Sequence, residues 1–358
     1  MRRNRSRFLV VVLALAMCGL AAPALADDVG GDDTGAPGGS RQQPAAKAPA
    51  AAPAAAQAAE SDCTWFPDLR CGRHGRFEGF EMPISQPFLF EDPFITTGIY
   101  PYYIYHEFPG DSALGGGNVH AVAVQARIAI TDRLAFIATK DGYAWENPGS
   151  PLLDDQTGWF NLAGGLKYAI IQRPEDNFIL STSLKIEIPT GSSAIFEGDS
   201  GGVNFLPSVS AAWGWKGLHL IGDVGGQAGT DSDLFGSQFF FHAYADYSVH
   251  KHFQPFIQFS GQQYIGSGAG ERPVKLTNGA VLDMATVRGA LGLDSFEGVD
   301  LHNLGNDGVG GNFISIFAVG AHIPINKHFT WSASYELPIT GRDDIHDQRM
   351  TTSLRMEF

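Results

Sequence analysis

The chain has 358 residues, 17% of them charged, with a formal net charge of -14, 44 glycines and 25 phenylalanines. That acidic balance argues against a nucleic-acid partner and against a basic membrane-surface patch. The low charge, the glycine and aromatic content and a mean hydropathy of -0.06 suit strands whose two faces differ in polarity and average out.

Residues 1–26 read as a secretory signal peptide. Arg2, Arg3, Arg5 and Arg7 form a basic start, Phe8–Leu20 is apolar, and Ala24-Leu25-Ala26 is a small-residue cleavage site. Cys18 follows Met17, which is too large for the residue usually wanted before a lipidated cysteine. Residues 27–61 are rich in Ala, Pro, Gly and Gln and read as a disordered linker, with partner or peptidoglycan binding as the alternative. Cys63 and Cys71 are the cysteines of the mature chain. In an oxidising compartment they are expected to pair. With His74 they offer too few ligands for a structural metal site, and no metal or other cofactor is expected.

Residues 62–93 lead into the strands. Pro83, Pro87 and Pro93 exclude a regular element here. The segment is read as a periplasmic lead-in or as a small plug.

From Phe94 to Phe358 the chain alternates with a period of two. Twelve strands are predicted: Phe94–Phe108, Asn118–Thr131, Leu134–Trp145, Gly158–Ile171, Phe178–Pro189, Val203–Trp215, Leu218–Ala228, Gln238–Val249, Phe253–Ile265, Asn312–Ile325, Phe329–Thr340 and Gln348–Phe358. Short connections such as Thr131-Asp132-Arg133, Lys216-Gly217 and His250-Lys251-His252 alternate with longer Gly- and Asp-rich ones. Short periplasmic turns and long outer loops are the habit of outer-membrane barrels, and an even strand number returns both termini to the periplasm. The fold class is therefore all-β, a closed antiparallel transmembrane barrel. A hidden hairpin within Pro273–Gly311 would raise the count to fourteen.

The last strand is the clearest. Met350, Thr352, Leu354, Met356 and Phe358 share one face, and Thr351, Ser353, Arg355 and Glu357 the other. It resembles the C-terminal signature of bacterial outer-membrane proteins, whose final Phe is read by the barrel-assembly machinery. Elsewhere Val122, Val124, Ile128 and Ile130 are assigned to lipid. Arg127, Lys167, Lys185, Glu187, Asp223, Asp246, Glu336, Arg355 and Glu357 are assigned to the lumen, because Arg or Lys facing mid-bilayer lipid costs about 2–4 kcal/mol. These charges either fill the barrel as internal ion pairs or line a path for a solute. Tyr100, Tyr102, Tyr103, Tyr105, Trp145, Trp159, Trp213, Trp215 and Trp331 suit interfacial girdles, with a stacking track for an aromatic solute as the alternative.

Lys185-Ile-Glu-Ile-Pro-Thr-Gly191, a Gly/Asp-rich loop and Val203-Asn-Phe-Leu-Pro-Ser-Val209 resemble the outer-membrane family described as the putative MetA pathway of phenol degradation. That resemblance implies a solute channel without catalytic residues.

A hydrolase is the rival class. An outer-membrane phospholipase would need a His-x-Ser-Asn-Gly string for a His-activated nucleophile, and His302-Asn303-Leu304-Gly305 lacks the Ser. Asp343, Asp344 and His346 share an outer loop, as an outer-membrane protease would require, but acidic loop clusters are usually just solvated. The function expected is passive diffusion of a small solute through a polar lumen, without enzymatic activity, with a structural or adhesion barrel as the alternative. The expected partners are the lipid of the outer membrane, the assembly machinery and the solute. The long connection Gly266–Gly311 is expected outside, with Val281–Leu293 tucked against the pore mouth.

Overall fold

The computed structural model describes residues 76–358 apart from 78, 199–200, 294–300 and 342–345. The signal segment, the linker, Cys63, Cys71, His74, Asp343 and Asp344 lie outside the described residues. The cysteine expectation has a direct check: thiol labelling of the unfolded, unreduced protein should find no free thiol in the mature chain. Two free thiols would reject the pairing.

Among the described residues there are sixteen strand segments: β1 (Gly98–Glu107), β2 (Gly117–Ala129), β3 (Leu134–Lys140), β4 (Tyr143–Pro148), β5 (Gln156–Trp159), β6 (Leu162–Arg173), β7 (Phe178–Ile188), β8 (Asn204–Trp215), β9 (Leu218–Gly229), β10 (Ser237–Tyr247), β11 (Gln254–Gly266), β12 (Pro273–Lys275), β13 (Val281–Asp283), β14 (Phe313–Pro324), β15 (Phe329–Pro338) and β16 (Gln348–Glu357). Among the described residues one short α-helix, α1, covers Met284–Leu291. Every pairing in the main sheet is antiparallel, and β1 pairs with both β16 and β2, so the sheet closes.

The barrel has twelve staves, because two staves are each broken in two. β2 pairs with β3 through Ala126↔Ala138 and with β4 through Val122↔Tyr143. Four steps along β2 therefore oppose five along its neighbour, which is a β-bulge. The bulge sits at Asp141-Gly142. Gly142 has φ +119°, and a Cβ there would lie 2.3 Å from the Val122 carbonyl oxygen. Only glycine fits this backbone. Opposite it, β5 and β6 are separated by the buried Phe160 and Asn161. The third and fourth predicted strands are thus each one interrupted stave. The region considered for a further hairpin holds β12 and β13, which form a separate two-stranded ribbon outside the barrel wall.

Period-2 alternation sorts the side chains. Val122, Val124, Ile128, Leu166, Leu184 and Ile257 are exposed on the outer face, while their strand neighbours are buried inside. Exposed aromatics gather near both ends of the wall: Tyr103, Trp145 and Trp159 toward the long loops, and Trp213, Trp215 and Trp331 toward the short turns. Tyr100 and Tyr102 depart from the expected girdle, being 0% and 4% exposed. Ile99 faces out, so residues 100 and 102 must face in. The Arg127 guanidinium lies 4.9 Å from the Tyr100 ring centroid.

The apolar belt and aromatic girdles on a closed barrel place the protein in a bacterial outer membrane. At the seam, the Phe358 N–H donates to the Thr97 carbonyl at 3.0 Å. Unboiled and boiled samples should migrate differently on a denaturing gel, and removing Phe358 should impair assembly. A product with no membrane association would overturn the assignment.

Candidate functional site: a plugged lumen

The prolines that keep residues 77–93 out of the sheet leave their backbone groups without ladder partners, so the barrel's inward polar side chains supply them. The segment runs up inside the barrel from Phe80 to Ser85, turns over Gln86-Pro87-Phe88-Leu89, and returns from Phe90 to Ile95. All of these residues are buried. Gln86 has φ +54°, and its carbonyl accepts the N–H groups of Leu89 (3.1 Å) and Phe90 (3.0 Å) to form the turn. The turn lies well up the barrel, since Gln86 Nε2 donates to Glu336 Oε2 at 2.7 Å near the long-loop end of β15. The segment thus occupies the barrel interior as a plug-like insert, bonded to the inward side chains.

The ascending limb is held near the short-turn end. Gln254 Nε2 donates to the Gly79 carbonyl (2.9 Å), and Arg355 Nη1 lies 2.8 Å from Glu81 Oε2. Higher up, Gln258 donates to the Ser85 carbonyl at 3.1 Å. At the turn, Gln125 donates to the Pro87 carbonyl (2.6 Å), and Lys185 Nζ to those of Phe88 (3.0 Å) and Leu89 (3.2 Å). On the descending limb the Phe90 ring stacks on His242, with centroids 4.7 Å apart. Glu91 lies 2.7 Å from Lys167 Nζ and 3.1 Å from Arg127 Nη2. Asp92 lies 3.2 Å from Lys167 and 3.5 Å from Arg127. These four ions are at most 2% exposed, so each depends on the others for its charge to be tolerated.

The nine residues assigned to the lumen are all buried, and they divide by partner. Arg127, Lys167, Lys185, Asp223, Glu336 and Arg355 bond the plug. Asp223 accepts the Glu91 N–H (3.2 Å) and lies 2.5 Å from His242 Nδ1. Asp246 accepts from Tyr244 (2.8 Å) and lies 2.6 Å from His219 Nδ1. Glu357 accepts from the Tyr100 hydroxyl at 3.1 Å. Glu187 stands apart, toward the long loops, with Lys140 Nζ at 2.8 Å. Lys140 also lies 3.0 Å from Glu197.

Sequence reasoning did not single out Lys140, Glu197, Glu81, Glu91 or Asp92. The acids of the plug carried one signal, Glu91-Asp92 beside two prolines in an otherwise apolar stretch. Glu197 lies in a loop between strands, where nothing in the pattern marks it as buried.

The long connection between β11 and β14 covers the other end. Arg272 is buried and donates from Nη1 to the Glu197 (3.1 Å) and Gly198 (2.9 Å) carbonyls. His302 Nδ1 lies 3.0 Å from the Ile195 carbonyl oxygen. Burial pushes the Glu197 carboxyl up to about 7 against the opposing pull of Lys140. Burial also drives the His302 imidazole down to about 3, so it is neutral at ordinary pH. The part expected to tuck in does so in part: Met284 is buried and Val287 and Leu293 pack against the core, while Val281 is 62% and Leu291 48% exposed. Arg272, Val274, Leu301 and Leu304 are also buried. From the protease-like loop cluster, His346 is buried with its ring 4.9 Å from that of His106.

A closed twelve-stave antiparallel barrel with a lipid belt, a polar interior and an inserted N-terminal segment defines a bacterial outer-membrane β-barrel protein. No family model matches the chain, and neither does any curated protein. Among solved structures it is similar to the KdgM porin, at 10% identity and a TM-score of 0.38 over 72% of this chain and 99% of that one. It is likewise similar to the beta domain of the Bordetella autotransporter BrkA (11%, 0.42, 73% and 100%) and to LpxR from Salmonella typhimurium (11%, 0.39, 73% and 100%). Likeness at this level concerns the fold alone.

Proposed function

We propose that the protein is a gated outer-membrane channel for a small solute, without enzymatic activity, closed at rest by residues 79–95. The observation that carries this reading is how the lumen ions are paired. Arg127 and Lys167 are matched to carboxylates of one contiguous segment that enters and leaves by the same mouth. Polar and ionic contacts of this kind can be exchanged for water when the segment withdraws. The bore left behind is polar, and diffusion along it is passive.

A structural barrel with a permanent filler is the second reading, favoured by the apolar side of the plug, where Phe77, Phe80 and Phe94 pack together. Planar-bilayer recording separates the two. The full chain should be mostly silent, and a chain lacking Phe80–Asp92 should carry steady current. Arg127, Lys167 and Lys185 would then line the bore beside Asp223, Asp246, Glu336 and Glu357, so the current should carry both signs of ion. A silent, correctly folded deletion would favour the structural reading.

A further inference from the structure

The two ends of the barrel differ in charge. On the long-loop side Asp111, Asp154, Asp155, Asp233 and Glu271 are exposed. On the short-turn side, three consecutive turns contain no acidic residue: 216–217 between β8 and β9, 248–253 between β10 and β11, and 325–328 between β14 and β15. They join six neighbouring staves, half of the wall. Lys216, Lys251 and Lys327 are exposed on them, together with His250, His252 and His328. The acids of this rim, Asp132, Glu175 and Asp176, fall in the two remaining short turns. In a chain with 38 acidic residues against 24 basic ones, an acid-free half-rim runs against the composition.

The three turns are held in place. His252 Nδ1 lies 2.6 Å from the Pro324 carbonyl oxygen at the end of β14, and His328 Nδ1 lies 2.7 Å from that of Glu357 in β16. A carbonyl only accepts, so each ring carries a proton on Nδ1 and donates it. Each of these turns is thereby tied to the next stave. Lys216 Nζ lies 4.8 Å from the Trp215 ring centroid, a cation–π contact that holds the ammonium at the outer face of the wall. Beside the lysines that face is apolar. Val249 is 60% and Ile325 54% exposed, and Tyr247 and Phe253 are exposed with them.

We propose that this half-rim is a docking surface for anionic phospholipid of the periplasmic leaflet. Each lysine takes one headgroup phosphate, and the acyl chains lie against Tyr247, Val249, Phe253 and Ile325. Charge separates this occupant from lipid in general. A zwitterionic headgroup brings its own cation to the rim, whereas an anionic one leaves its phosphate to be matched by the ammonium. With no carboxylate in these turns, nothing on them competes for the lysines or repels the phosphate. Spacing agrees as well. Successive turns stand two strands apart, about 10 Å, which gives each lysine a lipid of its own. A lysine stem lies along apolar surface while its ammonium reaches the polar boundary.

The test is native mass spectrometry of the detergent-solubilised full chain, titrated with phosphatidylglycerol or with phosphatidylcholine of the same acyl length. It reads no current, so its outcome is separate from that of the channel reading. Phosphatidylglycerol should be preferred about fivefold at up to three sites, the factor given by about 1 kcal/mol per basic residue at an anionic surface. The triple variant Lys216→Gln, Lys251→Gln, Lys327→Gln should stay heat-modifiable and bind the two lipids alike. The corresponding triple Lys→Arg variant should keep the preference. Arg173→Gln, beside the turn that holds Glu175 and Asp176, should leave it unchanged. Equal binding of the two lipids by the parent, or a preference that survives the triple Gln variant, would overturn the proposal. Inorganic phosphate should not displace the lipid, because it lacks the apolar half; full displacement would mean that the rim binds free phosphate and not the membrane. Retention of a soluble cell-wall muropeptide by the parent but not by the triple Gln variant, with no lipid preference, would assign the rim to the cell wall instead.

Discussion

Glu91→Ala is expected to unseat the plug while leaving the barrel assembled. The substitution removes the carboxylate shared by Lys167 at 2.7 Å and Arg127 at 3.1 Å and leaves Asp92 as their remaining partner. Stranding a buried charge in this way costs about 3–5 kcal/mol. The closed structure can avoid that cost by letting water in, which requires the plug to leave. The strands hold one another through their own ladder and need not unfold. In planar bilayers the variant should show frequent openings where the parent is quiet, and its unboiled and boiled forms should still migrate differently. Glu91→Gln, which keeps the shape and an acceptor, should show a weaker effect of the same sign. A variant that is quiet and normally folded would mean that the plug does not depend on this pairing.

Deleting Arg272–Gly308 is expected to leave the protein silent by itself. The sequence alone suggests that this connection restricts the pore and that its removal raises permeation. On the channel reading, residues 79–95 form a second closure beneath it, since Gln86 and Phe88 remain engaged with Glu336 and Phe160. The effect should therefore appear only when Phe80–Asp92 is also removed, with the double deletion conducting more than the plug deletion alone. Conduction from the outer deletion alone would show that the plug is leaky. Equal conductance of the two plug-less chains would show that the outer connection restricts nothing.

The wall was legible in the sequence because a strand's two faces see different solvents. Met350 to Phe358 alternates over its whole length, and the structure keeps that order, with Arg349, Thr351, Ser353, Arg355 and Glu357 buried. The break at Asp141-Gly142 was not legible. An inserted residue shifts the phase by one, yet Tyr143 and Trp145 read as a continuation of the same strand. Tyr100 and Tyr102 were misjudged for the opposite reason: their residue type suggested an interface, while the phase set by Ile99 assigned them inward. The plug left three prolines, no period and the single acidic pair Glu91-Asp92. What filled the lumen depended on pairing Glu91 with Arg127 and Lys167, contacts of 36 and 76 positions along the chain that no local pattern reveals.

The inserted segment hangs as a loop from the closing seam. Arg76, just before it, lies 3.5 Å from Asp132 in the turn between β2 and β3, and Thr97, just after it, bonds Phe358. Both ends of the loop therefore sit at the short-turn rim. No free chain end has to be threaded through the cylinder when it closes, and none has to be pulled through when it empties. On the channel reading, loading and unloading would be the sliding of a fold in the chain along the bore, with the interstrand bonds left intact. A grip on the residues preceding Arg76 would be enough to draw it out.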